Sequence, residues 1–122
     1  MKILVIDDHS IVRTMVRRLM DGTGHHFVEA GASDEALAIL AQDPDIRLVL
    51  CDYMMPGING LDFVTALRKI SHHNATPIVM LSATRNKDII EEGQRRGVAN
   101  WLTKPFTRDQ LAQAIAELEK SA

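Results

Sequence analysis

Three short runs of unbroken hydrophobicity constrain this chain more than any other feature. Ile3-Leu4-Val5-Ile6, Leu48-Val49-Leu50-Cys51 and Ile78-Val79-Met80-Leu81 are each of strand length, and each gives way to a polar residue. A strand with one wet face alternates apolar and polar residues. A parallel strand covered by helices on both faces must be apolar throughout. Two further stretches, His26 to Ala30 and Val98 to Leu102, mix in polar residues, as strands do at the edges of a sheet.

Helical patterns lie between the runs. Ile11, Val12, Met15, Val16, Leu19 and Met20 recur at three- and four-residue spacing and make one apolar stripe. Ser33 with Asp34 and Glu35 reads as a cap and acidic first turn, followed by Ala36, Leu37, Leu40 and Ala41. Phe63, Val64, Leu67 and Ile70 mark a third helix, and Ile89, Ile90 and Gly93 a thinner fourth. The fifth opens with the capping box Thr107-Arg108-Asp109-Gln110 and buries Leu111, Ala114, Ile115 and Leu118. Gly22-Thr23-Gly24, Pro44, Pro56-Gly57 and Gly97 fall where turns are required. There is no internal repeat, low-complexity segment or interdomain linker.

This fivefold βα alternation, joined by right-handed crossovers, predicts an α/β fold: a doubly wound parallel sheet with five helices on its two faces. Placing the two polar strands at the edges gives the order 2-1-3-4-5, the flavodoxin-like arrangement. The 122 residues suit one domain, spanning 1–122. Fourteen basic against sixteen acidic residues, a net charge of -2, argue against a basic sheath for nucleic acid. The lone Cys51 cannot form an internal disulfide or a multi-cysteine zinc site, which points to a reducing compartment. The apolar run after Met1-Lys2 is too short for a signal peptide or membrane span. The expectation is a soluble, cytoplasmic domain with no membrane association.

Parallel strands bring their carboxyl ends to one edge, where open α/β sheets bind ligands. The strand ends are Asp7-Asp8 after the first, Asp52 after the third, Ser82 after the fourth and Lys104, before Pro105, after the fifth. Neighbouring strands lie about 4.8 Å apart, so the three carboxylates can converge. Together they resist ionising unless a cation sits among them. Mg²⁺, a hard ion that takes carboxylates, waters and phosphate oxygens, answers that need. Lys104 adds a point charge and Ser82 a hydroxyl, both suited to an anionic group on one carboxylate. Singly, each residue is an ordinary turn, cap or loop residue; it is their convergence that points to a site. Cys51 reads as a core residue, and the pairs His25-His26 and His72-His73 are assigned no ligand role.

These residues carry a resemblance. Asp7-Asp8, Asp52 with Met54-Met55-Pro56-Gly57-Ile58-Asn59-Gly60, Ser82-Ala83 and Lys104-Pro105-Phe106 are similar to the motifs of the receiver domain of bacterial two-component response regulators. The similarity spans essentially the whole chain, in the manner of the single-domain chemotaxis regulators. It implies that Asp52 accepts a phosphoryl group from a sensor histidine kinase or histidine phosphotransfer protein. Asp7, Asp8, Asp52 and the backbone carbonyl of Met54 would hold Mg²⁺. Ser82 and Lys104 would bind the phosphoryl group, the Lys104-Pro105 bond would be cis, and Met54 and Thr84 would tune phosphoryl lifetime. The fourth helix, fifth strand and fifth helix would form the output face, where Asp88, Glu91, Glu92, Arg95 and Arg96 offer charges. The resemblance implies a switch that catalyses only its own phosphorylation and dephosphorylation.

Trp101 stands where the family usually carries tyrosine, phenylalanine or histidine, a ring that swings inward on activation; an indole is larger and brings an N–H needing a partner. Three alternatives compete. A Mg²⁺-dependent aspartyl-phosphate phosphohydrolase needs an Asp-x-Asp pair, but Tyr53 and Met54 follow Asp52. A flavin-binding module needs a Ser/Thr-rich loop where Asp7-Asp8 stands. A receiver-like interaction module that is never phosphorylated would not need the full acceptor set. The chain fits either a stand-alone regulator or a receiver from a longer protein.

Overall fold

Each continuous apolar run is a strand in the computed structural model, which describes residues 1–121. The elements in chain order are β1 (Lys2–Ile6), α1 (Ser10–Leu19), β2 (His26–Ala30), α2 (Ser33–Gln42), β3 (Ile46–Asp52) and α3 (Gly60–Arg68). A short 3₁₀ turn (Ser71–His73) precedes β4 (Ile78–Ser82), α4 (Lys87–Arg95), β5 (Asn100–Thr103) and α5 (Arg108–Ser121). The five strands form one parallel sheet of order β2-β1-β3-β4-β5, as the placing of polar strands at the edges requires.

Successive residues of a strand point to opposite faces, and the core divides accordingly. Leu4, Ile6, Val49, Cys51, Ile78 and Met80 pack under α2 and α3, with Ile89 of α4 against the same cluster. Ile3, Val5, Leu48, Leu50, Val79 and Leu81 pack under α1 and α5. Unbroken apolar strands are therefore the requirement of a sheet with two dry faces.

Three local expectations need correction. The strand expected from Val98 begins at Asn100. Val98 is buried, but its N–H reaches back to the Gly93 carbonyl at 2.9 Å, while that of Gly97 reaches Gln94 at 3.1 Å. These bonds close α4 as a Schellman motif, with Gly97 at φ +95°. Ser33 is not the cap of α2. Ala32 occupies that position without a side-chain bond, and Ser33 is the first helical residue. Finally, the apolar stripe of α1 is broader than the face it buries: Val16 and Met20 are buried, whereas Ile11 is 83% and Met15 39% exposed. The capping box of α5 is present, with Thr107 N–H to Gln110 at 2.8 Å and Gln110 N–H to Thr107 Oγ1 at 3.1 Å.

The amino-terminal edge of the sheet is closed by polar groups that satisfy one another. His73, wholly buried, places Nε2 2.8 Å from the Asp43 carbonyl and Nδ1 2.7 Å from Thr76 Oγ1. Arg68 donates to the carbonyls of His73 and Thr76 at 3.2 and 2.6 Å. Lys2 pairs with Asp43 and, with the Asp45 N–H, holds that carboxyl below its ordinary pKa.

Candidate functional site

The opposite edge is built from strand ends. Parallel pairing sets Ile6 beside Cys51, so Asp7 and Asp52 are each one residue beyond a matched pair in adjacent strands. The Asp7 N–H donates to the Ala30 carbonyl at 3.1 Å, extending the ladder by one residue. Asp52 is opposite Leu81 of β4, and Ser82 follows. Ser82 pairs with Thr103 of β5, and the Lys104 N–H donates to the Ser82 carbonyl at 2.8 Å. Backbone hydrogen bonds thus deliver Asp7, Asp52, Ser82 and Lys104 to one rim before any side chain is considered.

Asp7 and Asp52 are buried, at 1% and 6% exposure, while Asp8 is exposed. Donor atoms of Asp7, Asp8, His9 and Asp52 all lie within 4.8 Å of one another. Lys104 Nζ is 3.0 Å from Asp7 Oδ2 and 3.7 Å from Asp52 Oδ1, so one ammonium pairs with both buried carboxylates and sits nearer Asp7. Asp7 Oδ1 also accepts the His9 N–H at 2.9 Å, and Asp52 Oδ1 accepts the Met54 N–H at 3.3 Å. Burial pushes the Asp52 carboxyl above its ordinary pKa; Lys104 opposes the rise, and Asp7 and Asp8 add to it. The neighbouring Cys51 thiol is raised too, mainly by burial, as a core residue requires. The three carboxylates, which carry excess negative charge, fit a hard divalent cation, and Mg²⁺ suits their oxygens.

The other sequence candidates occupy distinct positions. Ser82 is buried, and its Oγ accepts the Thr84 N–H at 3.2 Å, the turn-forming bond of an ordinary loop serine. Thr84 Oγ1 in turn accepts the Asn86 N–H at 3.3 Å. Met54 is 69% exposed beside the site, and the Lys104-Pro105 bond is cis. Trp101 lies outside the carboxylate cluster, half-buried in β5. Its ring packs 5.8 Å from that of Tyr53 and lies against Gly93 of α4. A Cβ at Gly93 would come within 3.0 Å of Trp101 Cζ3, so the missing side chain makes room for the indole. The indole Nε1 is buried without a hydrogen-bond partner among the described residues.

The charges of α4 are largely spent within the fold. Glu92 pairs with Arg95 and Arg96, which hold its carboxyl below the usual pKa, and Arg96 reaches Asp62 of α3 at 3.1 Å. Two contributors escaped the sequence reading. His9 sets Nδ1 3.1 Å from Asp8 Oδ1 and 3.2 Å from Asp7 Oδ1. Its signal was its place directly after Asp7-Asp8. Arg13 donates to the Asp7 carbonyl and, at 3.1 Å, to Glu29, bracing the loop after β1. One arginine on a helix face carries no such signal.

A doubly wound sheet with acidic strand ends and a lysine at its carboxyl edge defines the CheY-like class of signalling domain. The chain belongs to the response regulator receiver domain family, whose sequence model matches residues 3–116. It is 31% identical over 119 residues to the chemotaxis protein CheY homolog of Campylobacter jejuni, covering 97% of this chain and 92% of the relative. It is 33% identical to the sensory/regulatory protein RpfC of Xanthomonas campestris, covering 99% of this chain but 17% of that protein. The crystallized chemotaxis protein CheY4 of Vibrio cholerae matches with a TM-score of 0.89 at 31% identity, over 96% of this chain and 97% of its own. Members of this family are signalling switches rather than turnover enzymes. No helix among the described residues is long and apolar enough to cross a membrane.

Proposed function

We propose that this chain is a cytoplasmic, phosphorylation-activated switch in which Asp52 accepts a phosphoryl group from a sensor histidine kinase or histidine phosphotransfer protein. The observation that carries this reading is the convergence of Asp7, Asp8 and Asp52 beside Lys104. An oxygen of Asp52 attacks the phosphorus of a phosphohistidine, the P–N bond breaks, and the imidazole leaves; an aspartyl phosphate remains. Asp7, Asp8, Asp52 and the Met54 carbonyl would hold Mg²⁺, which neutralises charge on the transferring oxygens. Lys104, already within 3.7 Å of Asp52, pairs with a phosphoryl oxygen and moves away from Asp7.

The modification adds roughly 1.5 to 2 negative charges and new acceptor oxygens. Ser82 exchanges its bond from the Thr84 N–H for one donated to the phosphoryl group. The loop that follows then moves, and with it the seat of Trp101 between Tyr53 and α4. Met54 and Thr84 flank the acceptor and tune hydrolysis. The face of α4, β5 and α5 presents the result to a protein target, with no nucleic acid involved.

Acetyl phosphate with Mg²⁺ should add one phosphoryl group, read as an intact-mass increase that Asp52→Ala abolishes. Equal labelling of the mutant overturns the assignment.

A further inference from the structure

His9 supplies the one metal-ligating nitrogen in the acidic cluster, and the proposed switch gives it no task. Its backbone caps α1, but its side chain makes no capping bond. The imidazole is 68% exposed, so core packing does not hold it in place, yet its Nδ1 lies between two carboxylates. The separations are 3.1 Å to Asp8 Oδ1 and 3.2 Å to Asp7 Oδ1. Two donors each about 2.1 Å from a shared ion lie about 3.0 Å apart at a right angle and about 3.4 Å apart at the tetrahedral angle. Both separations fall within that interval. Asp52 completes the group within the same 4.8 Å span.

We infer that His9 is a ligand of the carboxyl-edge site through Nδ1, and that it shifts the site's preference from Mg²⁺ towards first-row transition ions. The inference rests on the reading that this edge holds a divalent cation. Carboxylates, carbonyls and water suit magnesium, whereas imidazole suits zinc, copper, iron and nickel. Three aspartates alone make a hard-ion site. Adding one neutral nitrogen donor makes a mixed O/N set in which cobalt and zinc gain far more than magnesium. A transition ion seated there competes with Mg²⁺ for Asp8 and Asp52, so metal availability becomes an input to the switch.

A simple ion pair between His9 and the aspartates predicts the opposite response to mutation. Deleting a side chain that only pairs with the carboxylates, without binding the ion, leaves the site's affinity for every cation unchanged or higher. Deleting a ligand lowers it, and selectively.

The test is calorimetric titration of the full chain and of His9→Ala with Co²⁺ and Mg²⁺ as separate probes. The pH is fixed above the ordinary histidine range. His9→Ala should lower Co²⁺ affinity roughly tenfold or more, with a far smaller change for Mg²⁺. The visible bands of the Co²⁺-loaded parent should shift in the variant. His9→Lys puts a cationic side chain without a lone pair in the same place and should lower the Co²⁺-to-Mg²⁺ affinity ratio as His9→Ala does. An unchanged Co²⁺-to-Mg²⁺ affinity ratio, or a rise for both ions, overturns the inference. The two readings fail separately. Labelling at Asp52 with an unchanged ratio removes the role of His9 alone. A His9-dependent ratio without labelling removes the phosphoryl switch alone.

Discussion

The two edges of the sheet solve the same problem in opposite ways. Each gathers polar side chains at the ends of apolar strands. At the amino edge the groups are matched: both nitrogens of the buried His73 have partners, Arg68 serves two carbonyls, and Asp43 has Lys2. At the carboxyl edge three carboxylates crowd together, Lys104 pairs with two of them, and Asp52 is pushed above its ordinary pKa. Satisfied polar networks stabilise, while unmatched buried charge is retained where a ligand will complete it. The first edge holds the fold together; the second keeps it responsive.

The largest expected effect is at the matched edge. His73→Ala removes a fully buried ring and two hydrogen bonds, and should cost about 3 kcal/mol in urea unfolding. A loss below about 1 kcal/mol would break the contrast, because His73 would then not be holding the edge. Next comes the unmatched edge without metal. Asp8→Ala relieves like-charge repulsion, so its metal-free melting midpoint should lie above the parent's by about 3 °C. Its Mg²⁺-induced shift should shrink. An undiminished shift would place the ion elsewhere.

A pH series sharpens the comparison further. Below the ordinary aspartate pKa, Asp52 is protonated in both folded and unfolded chains, and its burial has no ionic cost. As pH rises through that value towards the raised folded one, the unfolded chain releases its proton first, and the folded state loses stability. Metal-free Asp52→Asn should lack this loss, so its stability relative to the parent should grow as pH rises across that window and then level off. A parent curve parallel to that of the variant would show Asp52 to be relieved already.

The smallest effect concerns Gly93→Ala. Alanine favours the helix by about 0.8–1.0 kcal/mol, but its Cβ meets the indole at 3.0 Å. Net stability should therefore stay within about 1 kcal/mol of the parent. The emission of Trp101, the only tryptophan, should change without phosphorylation. Unchanged emission would mean that the ring has room to spare.

The fold was legible because two-faced burial leaves an unmistakable imprint: the apolar runs ended at Asp7, Asp52 and Ser82, where the strands end or one residue beyond. Elsewhere local chemistry misled. Val98 is as apolar as a strand residue, but its N–H was needed to close α4. Ser33 is a good cap by type, yet backbone alone starts α2. The candidate site was legible as a set of strand ends but not as a geometry. That Lys104 rests nearer Asp7 than Asp52, that His9 joins the cluster and that Gly93 opens a seat for Trp101 all depend on contacts between residues distant in sequence or on side-chain direction. Periodicity is blind to both.

The strand order also bears on how the molecule is made. Of the five strands, the first to be made ends up between β2 and β3, and after β2 has been laid on one side every later strand joins the other. Each strand leaving the ribosome finds its neighbour already formed, so the sheet can grow at a single moving border. Asp7, Asp8 and Asp52 are all in hand once β3 is complete, whereas Lys104 follows the last strand. A nascent chain halted between those points carries the anionic cluster with no lysine to temper it. Free divalent cations are then the counter-charge at hand, and the growing polypeptide can draw on them before Lys104 has been made.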